Sequence, residues 1–316
     1  MERTNLQRQT LFDERDAAEG TPKAEAARRR LSAINSSVRV RGVVADVTHK
    51  NIERLASEAA GPTKDAGASP VSILIDGTDN FETRYLINDL SVKLGIPYCY
   101  GGAVGTRGMQ AMFVPGATGC LRCVFPEPPG AGVSETCDTA GVLGPGVAMV
   151  GAMQASAAIE FLVRGTVRGE KPSASMLTDF DLWGGALRTL NLGGKAEACP
   201  CCGSRRFEFL EGRFASRTIR LCGQNAVQIA PAGDSGVVML DLARLGERLA
   251  PHAVGSVVVN DFLVRATLAS SGNDGAEDDG TPGEIELTVF GDGRAVVKGT
   301  EEPSVARGVY ARYVGA

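Results

Sequence analysis

The sequence predicts an α/β fold, and two patterns support this prediction. From Pro22 onward, short apolar strands alternate with longer helical stretches, which is typical of a sheet with crossover connections. The run VSILID, at residues 71–76, is an apolar strand, so we expect it at the centre of the sheet. The chain has 316 residues, which is enough for about two domains.

The elements of the first part follow from local signals. Thr21 is a plausible N-cap with Pro22 at the first helical position, so a helix is predicted over residues 21–35. Gly95 is expected to close a later helix over residues 80–95. Residues 58–70 interrupt the alternation and are interpreted as a surface insertion. The remaining elements are a strand at 38–47, a helix at 51–60 and strands at 96–102 and 108–116.

Charge and composition exclude several classes of function. The net charge is −4 and the sequence lacks a basic run, which argues against a nucleic acid partner. Residues 139–159 carry no formal charge, but their glycines and proline favour a buried helix of small residues over a membrane span. We expect no signal peptide. Eight cysteines without a secretory signal then indicate a reducing, cytoplasmic location, where cysteine spacing indicates metal binding or catalysis.

The composition changes after residue 203, where a small α+β domain is predicted over residues 204–316. Short strand runs occur at 255–260 and 285–290, and Asp292–Gly293 is a hairpin-turn signal. A final helix from Pro303 would place Val305, Val309 and Tyr313 on one face. The acidic stretch near 270–284 is expected to be a disordered, solvated spacer.

Two C-x-x-C pairs stand out, CLRC at 120–123 and CPCC at 199–202. Four thiolates from two distant pairs can bind one zinc ion tetrahedrally, in a closed structural site. Two redox or core pairs are the alternative, and Cys201 can replace a neighbouring ligand. The predicted zinc ligands are Cys120, Cys123, Cys199 and Cys202.

Asp76 and Asp79 lie where the strand 71–76 ends and the next helix begins. Open α/β sheets bind ligands at the carboxyl ends of their strands, and carboxylates there suit Mg²⁺ that carries phosphates. Capping of the next helix is the alternative role of Asp79. Arg8 and Lys23 can both neutralise phosphate, although isolated surface cations are the commoner explanation.

The remaining cysteines, the tryptophan and the two histidines give weaker indications of a function. Cys137 lies in a polar loop before a predicted helix, so it is either a nucleophile or an inert thiol. Cys99 and Cys222 are expected to be buried strand residues, and Trp183 is expected in the core. The two histidines have no nucleophile nearby in the sequence.

Six motifs, taken in order, closely resemble the ThiF/HesA/MoeB family, which is related to the ubiquitin-activating enzymes. The likeness covers residues 2 to about 203, through NLQRQTLF, PKAEAA, LIDGTDNFETRYLIND, GCLRCVFPEPP, TCDTAGVLGPGVAMVGAMQASAAIEFL and CPCCG. The resemblance implies a Rossmann-like sheet of the activating-enzyme type with structural zinc. It also implies ATP-dependent adenylation of the C-terminal glycine of a ubiquitin-like sulfur carrier protein, for thiamine or molybdenum-cofactor synthesis. A carrier with a Gly-Gly end, a sulfur donor protein and a second copy of the chain are the implied partners.

The family's site residues transfer to matching positions here. Asn5, Arg8 and Gln9 match the segment at the nucleotide, and Arg8 with Lys23 would hold the triphosphate. Asp79 matches the magnesium-associated aspartate, and the four cysteines match the zinc ligands. Cys137 matches the cysteine that forms a covalent sulfur link with the carrier in many relatives.

The resemblance also predicts an N-terminal truncation. Family members begin with a strand and a G-x-G-x-x-G turn. Met1 of this sequence matches a valine that comes after these elements in the family, just before the N-L-x-R-Q segment. Roughly 60 residues are expected to be absent, through a GUG codon taken as the start or because the chain is a fragment. The strands at 38–47 and 71–76 would then be about 14 Å apart or would pair abnormally. A non-catalytic, zinc-stabilised binding subunit or inactive fragment is therefore the alternative function.

Overall fold

The structure is a computed structural model that describes residues 3–59, 71–128, 140–164, 176–214, 218–221, 225–229, 240–269 and 284–315. The chain forms two compact units, which we call the terminal unit, residues 1–45 with 216–316, and the central unit, residues 46–215. This grouping differs from the division at residue 203 that the sequence suggested, and that division stays a prediction.

The helices and strands are numbered along the chain. The helices are α1 (Glu14–Ala18), α2 (Lys23–Ile34), α3 (Ile52–Ala59), α4 (Phe81–Leu94), α5 (Leu121–Val124), α6 (Gly144–Val163), α7 (Leu242–Leu249) and α8 (Pro303–Tyr313). The strands are β1 (Leu74–Ile75), β2 (Tyr98–Val104), β3 (Arg107–Phe113), β4 (Met176–Asp181), β5 (Ala186–Asn191), β6 (Thr218–Leu221), β7 (Ala226–Ile229), β8 (Val258–Val259), β9 (Leu263–Ala269), β10 (Glu284–Phe290) and β11 (Ala295–Lys298).

The central unit contains a mixed five-stranded sheet in the order β1-β2-β3-β4-β5. β1 runs parallel to β2, with Leu74 beside Tyr98, and the other neighbours are antiparallel. The predicted strands at 96–102 and 108–116 are confirmed as β2 and β3. The prediction of a central β1 is wrong, because among the described strands only β2 pairs with it and Ile75 is 55% exposed.

Helix α4 packs the core of this unit. Asn80 caps its start by accepting a hydrogen bond from the Thr83 N–H, and Gly95 ends it with φ +72°. The left-handed backbone explains why glycine stands at this C-terminus, as predicted. Tyr85 and Leu90 are buried against the sheet residues Tyr98 and Phe113, which belong to the same apolar cluster.

The terminal unit contains an antiparallel six-stranded sheet in the order β6-β7-β11-β10-β9-β8. Its core cluster joins the sheet to α7 and α8, with Leu245, Leu249, Ala306 and Val309 among the buried side chains. The predicted Asp292–Gly293 turn is present, since the Gly293 N–H donates to the Phe290 carbonyl at 2.9 Å and Gly293 has φ +83°. The predicted final helix is confirmed as α8.

Three local predictions are corrected by the structure. Residues 38–47 form no strand, although their valines alternate, because alternation specifies a face and does not supply a hydrogen-bonding partner. Thr21 is buried, and the N-cap of α2 is Pro22, which lacks a side chain that can cap. Trp183 is 80% exposed, on the turn between β4 and β5, and so does not belong to the core.

Helix α6 was predicted as a buried helix of small residues. Its buried residues, Gly146, Val150, Gln154 and Ala158, form one stripe at four-residue spacing. Among the described helices, α6 is the one long and apolar enough to cross a membrane. Only 22% of its most apolar stretch is buried, so the prediction of a buried helix holds for one face alone. The acidic loop at 270–283 and most of the insertion, 60–70, lie outside the described residues.

Candidate active site and four-cysteine cluster

Asn5, Arg8 and Gln9 come together in one turn at the start of the terminal unit. The Arg8 Nη2 donates to the Asn5 Oδ1 at 2.7 Å, and the backbone N–H groups of Arg8 and Gln9 donate to the Asn5 carbonyl at 3.2 and 3.0 Å. The Gln9 Oε1 is buried and has no hydrogen-bond partner among the described residues. A buried amide oxygen without a partner is costly, so a water molecule or a ligand is expected to donate to it.

Lys23, the first residue of α2, is exposed and belongs to the same unit as Arg8. Asp13 caps α1 and also accepts a hydrogen bond from the Arg30 guanidinium of α2 at 3.0 Å. The Thr21 N–H donates to the Asp16 carbonyl at 3.0 Å. These hydrogen bonds hold α1 against α2, and both helices lie in the stretch that carries Arg8 and Lys23.

Asp79 lies in the loop between β1 and α4 of the central unit, and its side chain is exposed. The capping role that we considered for Asp79 is filled by Asn80, whose Oδ1 accepts from the Thr83 N–H at 2.8 Å. The Asp79 carboxylate therefore faces solvent at the carboxyl end of a strand. A single exposed carboxylate suits Mg²⁺, which keeps its waters and is bound by substrate phosphates.

Asp76 differs from Asp79, although both follow β1. Its carboxylate is buried and accepts hydrogen bonds from the Tyr98 hydroxyl at 2.7 Å and from the Thr78 N–H and hydroxyl at 2.8 and 2.7 Å. The Arg84 Nε lies 3.7 Å from the Asp76 Oδ2. Burial, and then the nearby Asp76 charge, raise the pKa of Tyr98 well above its usual value. Asp76 is thus an internal anchor of the loop.

Arg84 completes this buried network. Its Nη2 donates to the Thr78 carbonyl at 2.8 Å, and its guanidinium lies 5.5 Å from the ring centroids of Phe81 and Tyr100. The sequence reasoning missed Arg84 and Tyr98. The sequence did contain a sign that Arg84 could pair with an aspartate, because it lies in the first turn of the helix that follows Asp76 and Asp79. The network fixes the backbone that presents Asp79.

Gln154 of α6 holds the same strand end from the other side. Its Nε2 donates to the Asp76 carbonyl at 2.7 Å and to the Cys99 carbonyl at 3.2 Å. A Cβ on Gly101 would lie 2.5 Å from the Gln154 amide, so this close approach requires glycine. Gln154 was also missed, because a single amide in an apolar helix gives no sequence signal of its partner.

The four predicted metal ligands come together in the central unit. The Sγ atoms of Cys120, Cys123, Cys199 and Cys202 all lie within 4.8 Å of one another. Three of the Sγ–Sγ distances are 4.0, 3.7 and 3.4 Å, for the pairs 120–123, 120–199 and 123–202. Zn–S bonds of about 2.3 Å in a tetrahedron place sulfurs about 3.8 Å apart, so the donor set fits zinc.

Two thiols of this cluster have pKa values above the usual range. The hydrogen bond with Cys120, followed by burial, raises the pKa of Cys123 to about 12. Burial, followed by the hydrogen bond with Cys123, raises the pKa of Cys202 to about 12. Crowding and burial thus favour the neutral form of Cys123 and Cys202, and a bound cation would reverse this preference.

Cys201 is not part of the four-thiol cluster. It is fully buried, and its Sγ accepts a hydrogen bond from the Asn88 Nδ2 at 3.3 Å. Beside it, burial raises the pKa of Asp89, whose Oδ2 accepts from the Phe209 N–H at 2.9 Å. Cys201 therefore faces α4 and links it to the cysteine loop.

The remaining candidate residues give fewer contacts. Cys137 and Cys222 lie outside the described residues. Cys99 is buried, as predicted, and its Sγ accepts from the Gln110 Nε2 at 3.5 Å. The His252 ring contacts Tyr313 at 5.6 Å between centroids.

Known proteins share this sequence over most of its length. The ThiF family matches residues 1–201. The sulfur carrier protein ThiS adenylyltransferase of Bacillus subtilis (strain 168) is 37% identical over 318 residues, which cover 100% of this chain and 83% of that protein. The sulfur carrier protein adenylyltransferase of Thermus thermophilus is 35% identical over 208 residues, which cover 64% of this chain and 70% of that protein.

A solved structure shares the fold. The chain is similar to E. coli MccB, crystallised with MccA-N7isoASN, at a TM-score of 0.50 and 21% identity. The similarity covers 64% of this chain and 57% of the MccB chain. The chain thus has the mixed α/β sheet of the activating-enzyme fold. Because the family match covers well over half of the sequence, and a relative at 37% identity is covered over 83% of its length, the chain belongs to the ThiF family.

Proposed function

We propose that the chain is an ATP-dependent adenylyltransferase that acts on the C-terminal glycine of a ubiquitin-like sulfur carrier protein. One observation carries the proposal, which is the similarity over 100% of the chain to a relative named for this activity. In the proposed reaction, a carboxylate oxygen of the carrier's last glycine attacks the α-phosphorus of ATP. The bond to the β-phosphate breaks, pyrophosphate leaves, and the carrier is left as an acyl adenylate.

The proposed chemistry asks the protein for placed cations and not for a strong base, because the attacking carboxylate is already an anion. Arg8 and Lys23 are proposed to hold the triphosphate, and Asn5 and Gln9 to bind the nucleotide beside them. The buried, unpaired Gln9 Oε1 supports this role, because it needs a donor. Asp79 is proposed to bind the Mg²⁺ that accompanies the phosphates, which its exposed position permits.

The four-cysteine cluster is proposed to hold a structural Zn²⁺. Cys120 and Cys199 are 79 residues apart in sequence, so the metal would join two distant loops of the central unit. All four ligands would be thiolates, which leaves no open position for chemistry. The ion would supply folding free energy, whereas the adenylation would depend on residues outside the cluster.

The finer parts of the assignment come from the family resemblance. Cys137 is proposed as the thiol that receives sulfur, with a sulfur donor protein as a further partner. A homodimer and a cytoplasmic location are proposed on the same ground. The carrier is proposed to serve thiamine or molybdenum-cofactor synthesis, and it would end in Gly-Gly.

The proposal is tested by ATP/pyrophosphate exchange driven by a Gly-Gly-ended carrier protein. We expect exchange with the intact carrier and none with a carrier that lacks its last two glycines. Arg8→Ala, Lys23→Ala and Asp79→Asn should each abolish most of it. Arg54→Ala is the matched control, since this side chain is 61% exposed and pairs only with Glu58 among the described residues.

The same assay separates the proposed enzyme from its alternative. Folded, zinc-loaded protein that binds the carrier but gives no exchange would indicate a non-catalytic binding subunit. A version that includes the in-frame upstream codons, assayed in parallel, tests the expectation about the glycine-rich segment. Exchange in the extended version alone would support both the enzyme and the expected truncation.

A further inference from the structure

Side chains of the C-terminal sheet bind the end of helix α1. The Asn260 Nδ2 donates to the Glu19 carbonyl at 2.8 Å. The Arg265 Nη2 donates to the Ala18 carbonyl at 3.2 Å and approaches the Ala17 carbonyl at 3.5 Å. The last carbonyls of a helix lack partners within the helix, and polar side chains that bind them fix the helix end.

Gly20 turns the backbone beside the sheet at this point. It has φ +65°, in the left-handed region that favours glycine. A Cβ at this position would lie 3.5 Å from the Leu263 Cδ1 and 3.8 Å from the Arg265 Cζ. The backbone therefore turns directly over β9, and both of the hydrogen-bonding side chains lie on or next to that strand.

The end of α1, which Asn260 and Arg265 bind, lies in sequence between Arg8 and Lys23, the two cations proposed to bind the phosphates of ATP. Arg8 precedes α1, and Lys23 follows Gly20 by three residues. The α1–α2 connection is tied by the Arg30–Asp13 ion pair at 3.0 Å and by the Thr21 N–H bond to the Asp16 carbonyl. A shift at the end of α1 would thus displace the residues on both sides of it.

We propose that Asn260 and Arg265 are positioning residues of the ATP site, through which the C-terminal domain holds the segment that presents Arg8 and Lys23. This inference rests on the proposed function, because the cations matter only if they bind phosphates. A cation that is held in place before ATP binds contributes more to phosphate affinity, because less ordering is lost on binding. The C-terminal domain would therefore contribute to catalysis without contacting ATP.

Asn260 allows a test that changes one hydrogen bond. Its Oδ1 accepts from the Phe262 and Leu263 N–H groups at 2.9 and 3.0 Å, and only its Nδ2 reaches Glu19. Asn260→Asp keeps the two accepted bonds and places an oxygen against the Glu19 carbonyl. Asn191→Asp is the matched control, since the Asn191 Oδ1 also accepts a local N–H bond, from Gly193 at 2.8 Å.

We expect Asn260→Asp to raise the KM for ATP by about three- to tenfold, which corresponds to the loss of a bond worth about 1 kcal/mol. The KM for the carrier should stay within twofold of wild type. Arg265→Met should act in the same direction, and Arg265→Lys, which retains a positively charged N–H donor, should recover part of the loss. Hydrogen exchange at the amides of residues 19–23 should be faster in Asn260→Asp than in Asn191→Asp.

Each result decides for or against the inference. An unchanged KM for ATP in Asn260→Asp, with an active wild type, would overturn it. So would a fall in melting temperature accompanied by equal changes in the KM values for ATP and for the carrier, which would indicate a structural role only. If the wild type gives no exchange, even in the version that includes the upstream codons, the proposed function is refuted, and the positioning role with it, before any variant is compared.

Discussion

The hydroxyl of Tyr98 offers a sharp test of the buried network after β1. It donates to the Asp76 Oδ2 at 2.7 Å, and the two residues are 0% and 1% exposed. Tyr98→Phe removes this one oxygen and leaves the ring in place. Asp76 would then keep the Thr78 bonds on its Oδ1, but its Oδ2 would retain only the Arg84 guanidinium at 3.7 Å.

Tyr85 provides the matched control. It is also 0% exposed, and its hydroxyl donates at 2.8 Å to the carbonyl of Phe125, which is neutral. A hydrogen bond to a charged group contributes about 1.5–3 kcal/mol, whereas one to a neutral group contributes about 1 kcal/mol. We therefore expect Tyr98→Phe to lower the free energy of unfolding by about 2 kcal/mol and Tyr85→Phe to lower it by about half as much.

The comparison requires urea unfolding of the zinc-loaded protein, followed by far-UV circular dichroism, with the slope against urea checked in each variant. Tyr98→Phe should also raise the Mg²⁺ concentration that half-saturates ATP/pyrophosphate exchange, because Asp79 lies three residues from Asp76. Equal losses of stability in the two variants would refute the argument that Asp76 is a buried anion in this network.

Other predictions follow from single contacts. Cys202→Ser should lower the zinc content measured by mass spectrometry, whereas Cys201→Ser should leave it at one per chain, and loss in both would contradict the ligand assignment. Gly101→Ala should destabilise the protein by about 1–3 kcal/mol through overpacking against Gln154. Gly151→Ala in α6, where a Cβ meets nothing within 4 Å, should stabilise it by about 0.5–1 kcal/mol, and thermal melts compare the two. Hydrogen bonds from Arg28 and Arg29 lower the pKa of Glu25 to about 2, so this carboxylate stabilises the fold above pH 4.5 and loses that effect as the pH falls toward 2. Glu25→Gln should therefore flatten this part of the stability profile in acid titrations, and parallel profiles would contradict the pairing.

Local signals predicted those elements whose cause is local. Helix α4 has a polar N-terminus and Gly95 at its end, and β2 and β3 have the apolar pattern of core strands. The four cysteines were predictable because zinc imposes a spacing within each pair. None of these signals depends on knowing which segment lies next to which.

The predictions that the structure contradicts have a different cause. Residues 38–47 and 71–76 both have strand patterns, yet the first forms no strand and the second pairs on one side only among the described strands. A strand requires a partner, and partner choice is a property of the whole sheet. Trp183 was placed in the core because large rings usually are, but its turn carries it to the surface.

The sequence also could not tell which of the two aspartates after β1, Asp76 or Asp79, is the better candidate for binding Mg²⁺. The structure separates them, because Asp76 lies among Tyr98, Thr78 and Arg84 whereas Asp79 faces solvent. The partners of Asp76 come from three different elements, so no single motif could have identified the network. The sequence predicted that a carboxylate at the strand end would bind a metal ion. The structure adds that only the Asp79 carboxylate, of the two, is exposed to solvent.

The family match ends at residue 201, but the compact units do not follow that limit. Residues 1–45, which carry Arg8 and Lys23, are grouped with residues 216–316, whereas Asp79 and the four cysteines lie in the central unit. A boundary drawn at the end of the family match would therefore separate the N-terminal segment from the strand that binds its carbonyls. Residues 216–316 are thus packed with the residues that are proposed to bind ATP, which is why the proposed positioning role falls on a segment outside the family match.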